Sequence, residues 1–240
     1  VKNVLVADMA TIFANAHVSS VLIADSSANI ATNLDALQSN IGKITSITQI
    51  GTTTPLSITE SSYKADAVAL SKLSGSYKLA LTNTNAGDAA TLLGDTHIAS
   101  ISIADTSENI ASNLDTLQKN IAKISGITQT GTAAPLSITE TSYKADTGTL
   151  SKISGPYTLN LSSVLAADVT TLLKDTHVTS LGISDSSANI AKNLDLLQTN
   201  LGKIASITQT GTAAPLAITS AQLSTDAGAL GKISGSYSLI

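Results

Sequence analysis

Asp25-Ser26-Ser27-Ala28-Asn29-Ile30-Ala31-Thr32-Asn33-Leu34-Asp35-Ala36-Leu37-Gln38 returns almost unchanged at 105–118 and again at 185–198. The step is 80 residues each time. His17, His97 and His177 keep that step, as do Pro55, Pro135 and Pro215, and Tyr77, Tyr157 and Tyr237. The 240 residues therefore read as three gapless copies, 1–80, 81–160 and 161–240. A period of this kind implies a stacked architecture in which each copy leans on its neighbours.

Composition narrows the classes. Apolar residues make up 42% of the chain, charged ones 12% and aromatics 2%, so any core is filled by Ile, Leu, Val and Ala. That filling suits thin layers better than one large globular centre. A net charge of −4, with 13 basic residues scattered along the chain, leaves no clustered Lys and Arg for nucleic acid. No apolar run reaches the length of a membrane span. The absence of Cys removes disulfide and thiolate chemistry and fits export without oxidative folding. Val1 to Val6 carry no signal peptide, and the chain starts and stops inside a copy, as an excerpt from a longer array would.

Within one copy, Val21 and Ile23 alternate as in a strand, and Asp25 with the serines after it are helix-start residues. Ile30, Leu34, Leu37, Ile41 and Ile44 then follow at helical spacing and predict one amphipathic helix. Short strands are expected at 46–51 and 56–59, with Thr52 to Pro55 between them. A second helix opens at Glu60 and stops at Gly75, a strand follows at 77–81, and a shorter helix spans 86–93. Ile23, Ile58, Leu81 and Ile103 then occupy one position, each followed two residues later by Asp25, Glu60, Asn83 or Asp105. Three strand-helix turns per copy result, one of them enlarged around Ser46 to Thr54.

Strand-helix alternation with short connections gives parallel strands. Ser57, Thr59, Lys78, Ala80, Ser100 and Ser102 alternate with the apolar positions, so one sheet face is covered and the other is open. The expected fold is an α/β solenoid, leucine-rich-repeat-like, with a parallel sheet on one face and helices on the other. Nine turns would make a rod about 43 Å long at the usual strand spacing. Three small separate α/β domains in a line are the alternative.

The Val/Ile strand, Asp-Ser/Thr-Ser, Asn-Ile-Ala-x-Asn-Leu-Asp-x-Leu-Gln, Ile-Thr-Gln-x-Gly, Pro-Leu-x-Ile-Thr and Lys-Ile-Ser-Gly resemble the tandem repeats of very large secreted bacterial surface proteins, many exported by a type I route. The resemblance covers the whole chain and is most specific at 101–118 and 181–198. It implies an extracellular, cell-surface, structural or adhesive role and carries over no catalytic residue. The glycine- and aspartate-rich calcium nonapeptides that often accompany such proteins do not occur here.

Candidate sites are few. His17, His97 and His177 invite a metal, but in a solenoid they lie about 14 Å apart, and each copy holds no second His or Cys. A structural place at strand entry is the expectation. The column Asp25, Glu60, Asn83, Asp105 would put oxygen ligands about 5 Å apart, a spacing calcium tolerates. The favoured reading is that each closes free N–H groups at the start of its own helix and complements the helix dipole. Ser26 and Ser27 have neither a nearby His nor elbow glycines, and Gly51-Thr52-Thr53-Thr54 lacks the lysine of a phosphate loop. Lys43, Lys123 and Lys203 sit near helix ends, where cations are favoured.

No catalytic, cofactor or metal residue is therefore assigned; calcium stays open at that column. The expected function is a non-enzymatic rod-like spacer or filament-forming segment that associates with like chains. The alternative is an adhesive module whose Ser/Thr-rich strand face holds glycan or another surface, ice included.

Overall fold

The computed structural model describes residues 1–52, 54–132, 134–211 and 214–240. Two compact units emerge: Val1–Asp105 with Lys119–Thr128, and Thr106–Gln118 with Gln129–Ile240. The strands are β1 (Val21–Asp25), β2 (Ile44–Gln49), β3 (Leu56–Thr59), β4 (Leu73–Ser74), β5 (Leu79–Thr84), β6 (Ile98–Asp105), β7 (Ile124–Gln129), β8 (Leu136–Thr139), β9 (Ile153–Ser154), β10 (Leu159–Val164), β11 (Val178–Asp185) and β12 (Ile204–Gln209). Fifteen short α-helices intervene among the described residues. None of them is long and apolar enough to cross a membrane.

In the first unit β1, β2 and β4 form a parallel sheet in that order, while β3, β5 and β6 form a second, with β7 beside β6. In the second unit β8, β10, β11 and β12 form a parallel sheet. Like residues face like residues along each sheet: Ile23 opposes Ile47, Ile58 opposes Leu81, and Ile183 opposes Ile207. All six are buried. Each β-branched or leucine side chain thus closes the gap left by the next, the cross-strand packing that stabilises a sheet.

Three expectations need correcting. The single helix expected through Ile44 is broken into Ser27–Thr32 and Leu34–Ser39, followed by a 3-10 turn at Ile41–Lys43. Asn33 causes the first break: at φ −111° its Nδ2 donates to the Asn29 carbonyl at 2.9 Å. Asn40 repeats this at the Ala36 carbonyl, 2.8 Å away, and short polar side chains of this kind compete with the helix's own hydrogen bonds. Ile44, freed from the helix, opens β2 and stays buried.

The second correction concerns 46–54. Its strand is not an enlargement of a turn but a full member of the first sheet, between β1 and β4, and the chain then crosses to start another sheet with β3. Gly51 makes that crossing in the left-handed region at φ +78°. Thr53 lies outside the described residues.

The third is register. Leu81 opposes Ile101, and Ile103 opposes Thr84 instead, because Asn83 at φ +53° inserts a bulge. Ser163 at φ +58° does the same in the second unit.

Candidate functional site

The acidic positions singled out in the sequence sit at strand ends. Asp25 is buried, and its Oδ2 accepts from the Val6 N–H at 2.9 Å. Its Oδ1 accepts from the Ser26 N–H and from Asn29 Nδ2, each at 2.7 Å. Burial works to raise the carboxyl pKa, but these three donors outweigh it and hold it below the ordinary value. β1 and β3 lie in different sheets, so Asp25 and Glu60 are not successive rungs.

Glu60 and Asp105 do converge. Glu60 Oε2 accepts from the Asn85 N–H at 2.7 Å, and Asp105 Oδ2 from the adjacent Ala86 N–H at 2.9 Å. Together they close the start of the 3-10 turn Ala86–Asp88 and not, as expected, the starts of their own helices, which Thr59 and Thr106 cap. Lys64 lies across Glu60 and also reaches Asp88 at 2.9 Å. Asn83 is exposed and supplies backbone geometry. The second unit repeats the arrangement: Glu140 takes the Leu165 N–H at 2.8 Å and Asp185 the Ala166 N–H at 3.0 Å. Among the described residues no three acidic or histidine side chains group as a metal ion needs.

A second cluster forms around the histidines. His97 Nδ1 lies 2.9 Å from Asp95 Oδ1, and the His97 N–H donates to the same oxygen at 2.8 Å. Tyr63 Oη donates to Asp95 Oδ2 at 2.9 Å. Tyr77 stacks on the His97 ring, with centroids 4.3 Å apart and planes 11° from parallel. Tyr143, Tyr157, Asp175 and His177 reproduce every contact, with a ring separation of 4.2 Å. His17 instead has Asn15 two residues before it, whose Oδ1 takes its N–H at 3.0 Å.

The electrostatics follow from the contacts. Burial, and then the Asp95 carboxylate, raise the Tyr63 phenol, and burial and Asp175 push Tyr143 up to about 12. Asp95 would rise through burial, but the His97 N–H, the Tyr63 hydroxyl and the His97 ring hold it low. Tyr63, Lys64, Leu70, Tyr77, Leu79 and Asp95 line a cleft of about 320 Å³ beside this cluster. A signal that a reading centred on His overlooks is present in the chain: Tyr63, Tyr77 and Asp95 recur 80 residues on as Tyr143, Tyr157 and Asp175.

Two carboxyl pairs were also missed. Asp66 precedes the helix Ala67–Ser71 without a side-chain capping bond, is 3% exposed, and leaves Oδ2 without a hydrogen-bond partner among the described residues. Burial, and then the facing Asp35 carboxyl, raise its pKa. Asp226 and Asp195 repeat the pair, with the same two causes raising Asp226. Burial and like-charge repulsion both favour the neutral form of Asp66 and of Asp226.

Family models, curated proteins and solved structures were compared with the chain, and none matches.

Proposed function

We propose that the chain is a stretch of a non-catalytic, extracellular repeat array on a bacterial surface, a solenoid of three 80-residue repeats serving as a stiff spacer or a filament-forming segment. One observation supports it above the others. The helices Ser27–Thr32, Ser107–Ser112 and Ser187–Lys192 recur with the same caps, and the strands that precede them end in the same buried Asp. A strand whose apolar face is closed by an equivalent strand needs no chemically distinct partner, so length grows by duplication and stability adds along the axis.

The charge pattern agrees with this reading. The buried carboxylates Asp25, Glu60, Asp105, Glu140 and Asp185 accept from backbone N–H groups, and exposed lysines such as Lys64 and Lys144 are paired with Asp88 and Asp168. Contacts with like chains then rest on polar surfaces and strand edges, and nucleic acid finds no basic patch. Small-angle scattering on this chain and on a doubled, six-copy version tests the reading. The expected outcome is a maximum dimension that roughly doubles. A dimension growing only as the cube root of mass would sink the rod.

A further inference from the structure

We infer that two equivalent clefts, one at Gln49, Ser76 and Tyr77 and the other at Gln209, Ser236 and Tyr237, bind a neutral saccharide. The first encloses about 240 Å³ and is also lined by Thr54, Pro55 and Lys78. The second encloses about 260 Å³ and adds Ala214 and Ser238. Each lies within its own unit.

The residues that differ between the clefts define the ligand as much as those that agree. Lys78 in the first is Ser238 in the second, and Thr54 is Ala214. A positive charge is therefore not part of the common set. What both share is a carboxamide, a hydroxyl and an aromatic ring, which suits an uncharged ligand with an apolar face and a rim of hydroxyls.

The carboxamide is held in a fixed sense. Gln49 Nε2 donates to Ser27 Oγ at 2.7 Å and to the Thr54 carbonyl at 3.3 Å. Gln209 Nε2 donates to Ser187 Oγ at 2.8 Å and to the Ala214 carbonyl at 3.4 Å. Gln129 is held alike by Ser107 and the Ala134 carbonyl. Both amide hydrogens are thus engaged inside the protein, which leaves Oε1 as the acceptor a ligand would use. Ser27 and Ser187, the anchors, are themselves buried.

The ring is fixed as well. Tyr77 is backed by His97, which is tied to Asp95, whereas Tyr237 is anchored through its Oη, which donates to the Leu230 carbonyl at 3.3 Å. A pyranose lays its C–H face on such a ring and donates hydroxyl protons to an amide oxygen and a serine. Preorganisation of this kind saves ordering entropy on binding. Clefts this small cover one sugar ring, so single-site affinity falls near 1 mM or weaker, with roughly a dozen ligand atoms contributing.

The test titrates the 240-residue chain separately with methyl β-glucoside, methyl β-galactoside and methyl α-mannoside, following the Gln49 and Gln209 side-chain amide and Tyr77 and Tyr237 ring NMR resonances. Saturable shifts with at least one glycoside are expected at both clefts. Tyr77→Ala should silence the response at Gln49 and leave that at Gln209, and Tyr237→Ala should do the reverse, so each variant carries its own folding control. Gln49→Leu should weaken the first cleft about tenfold, the scale of one lost hydrogen bond to an oriented acceptor. The inference is overturned by silence to all three glycosides at about 0.1 M, two orders above the expected affinity. Shifts that survive Tyr77→Ala at Gln49, or a response confined to sulfated or sialylated glycosides, overturn it equally. None of these results bears on the rod, which the scattering experiment tests independently.

Discussion

Asp185 shows what a single residue does in this fold: it accepts from the Ala166 N–H at 3.0 Å, the Ser186 N–H at 2.8 Å and Asn189 Nδ2 at 2.7 Å, at the buried end of β11. Asp185→Ala strands these donors, and a loss of about 2–3 kcal/mol in urea unfolding is expected. Asp25 carries the same role with a depressed pKa, so its stabilisation is complete above the ordinary value of 3.8 and is lost as pH falls through the folded value. Asp66 has the opposite sign. Its pKa is raised by burial and by Asp35, so stability rises as pH drops through its folded value, and the charged form weakens the fold at neutral pH. Asp35→Asn replaces the repelling carboxyl with a donor. The variant should melt a few degrees higher than the parent at neutral pH, an advantage that shrinks to nothing as pH approaches 3.8, the unfolded value of Asp66, in a melting series by circular dichroism.

At the scale of elements, apolar spacing alone could not separate one helix from two. Ile30, Leu34 and Leu37 fit a helical face and are all buried, yet Asn33 and Asn40 end their helices through bonds to Asn29 and Ala36. The cue was visible as Asn at both positions, but an Asn is as compatible with a solvated helix face as with a break, and only the competing backbone geometry decides. Leu197 is fully buried in the equivalent helix, and Leu197→Ala should cost about 2–5 kcal/mol in denaturant unfolding. Asn83 tests the bulge. Asn83→Val forces a β-branched side chain into the left-handed region and should cost at least about 1–2 kcal/mol, while Asn83→Gly should be close to neutral in the same measurement.

For the whole molecule, the 80-residue step makes a prediction that no single element makes. Removal of 81–160 joins Ala80 to Leu161, and Leu161 is the counterpart of Leu81. Both leucines are buried, at equivalent places in β5 and β10. The shortened chain should keep its ellipticity per residue and unfold cooperatively. A deletion of 81–120 brings unlike positions together and should give a chain with collapsed ellipticity and rapid proteolysis. If both deletions behave alike, the period has no structural meaning.

The sequence alone determined the period, the parallel strands, the apolar filling of the core and the helix starts just after Asp25, Asp105 and Asp185, because these depend on local spacing and residue type, while the fold decided that Ser26, Thr106 and Ser186 are the capping side chains. Tertiary structure decided which strand stands beside which. β2 and β4 share one sheet while β3 and β5 share another, a choice made by contacts across 20 residues or more. The same holds for the meeting of Glu60 with Asp105, of Tyr63 with Asp95 and of Asp35 with Asp66, since each needs backbone paths that no periodicity encodes. Side-chain type fixes what a residue can bond; only the packed fold fixes what it meets.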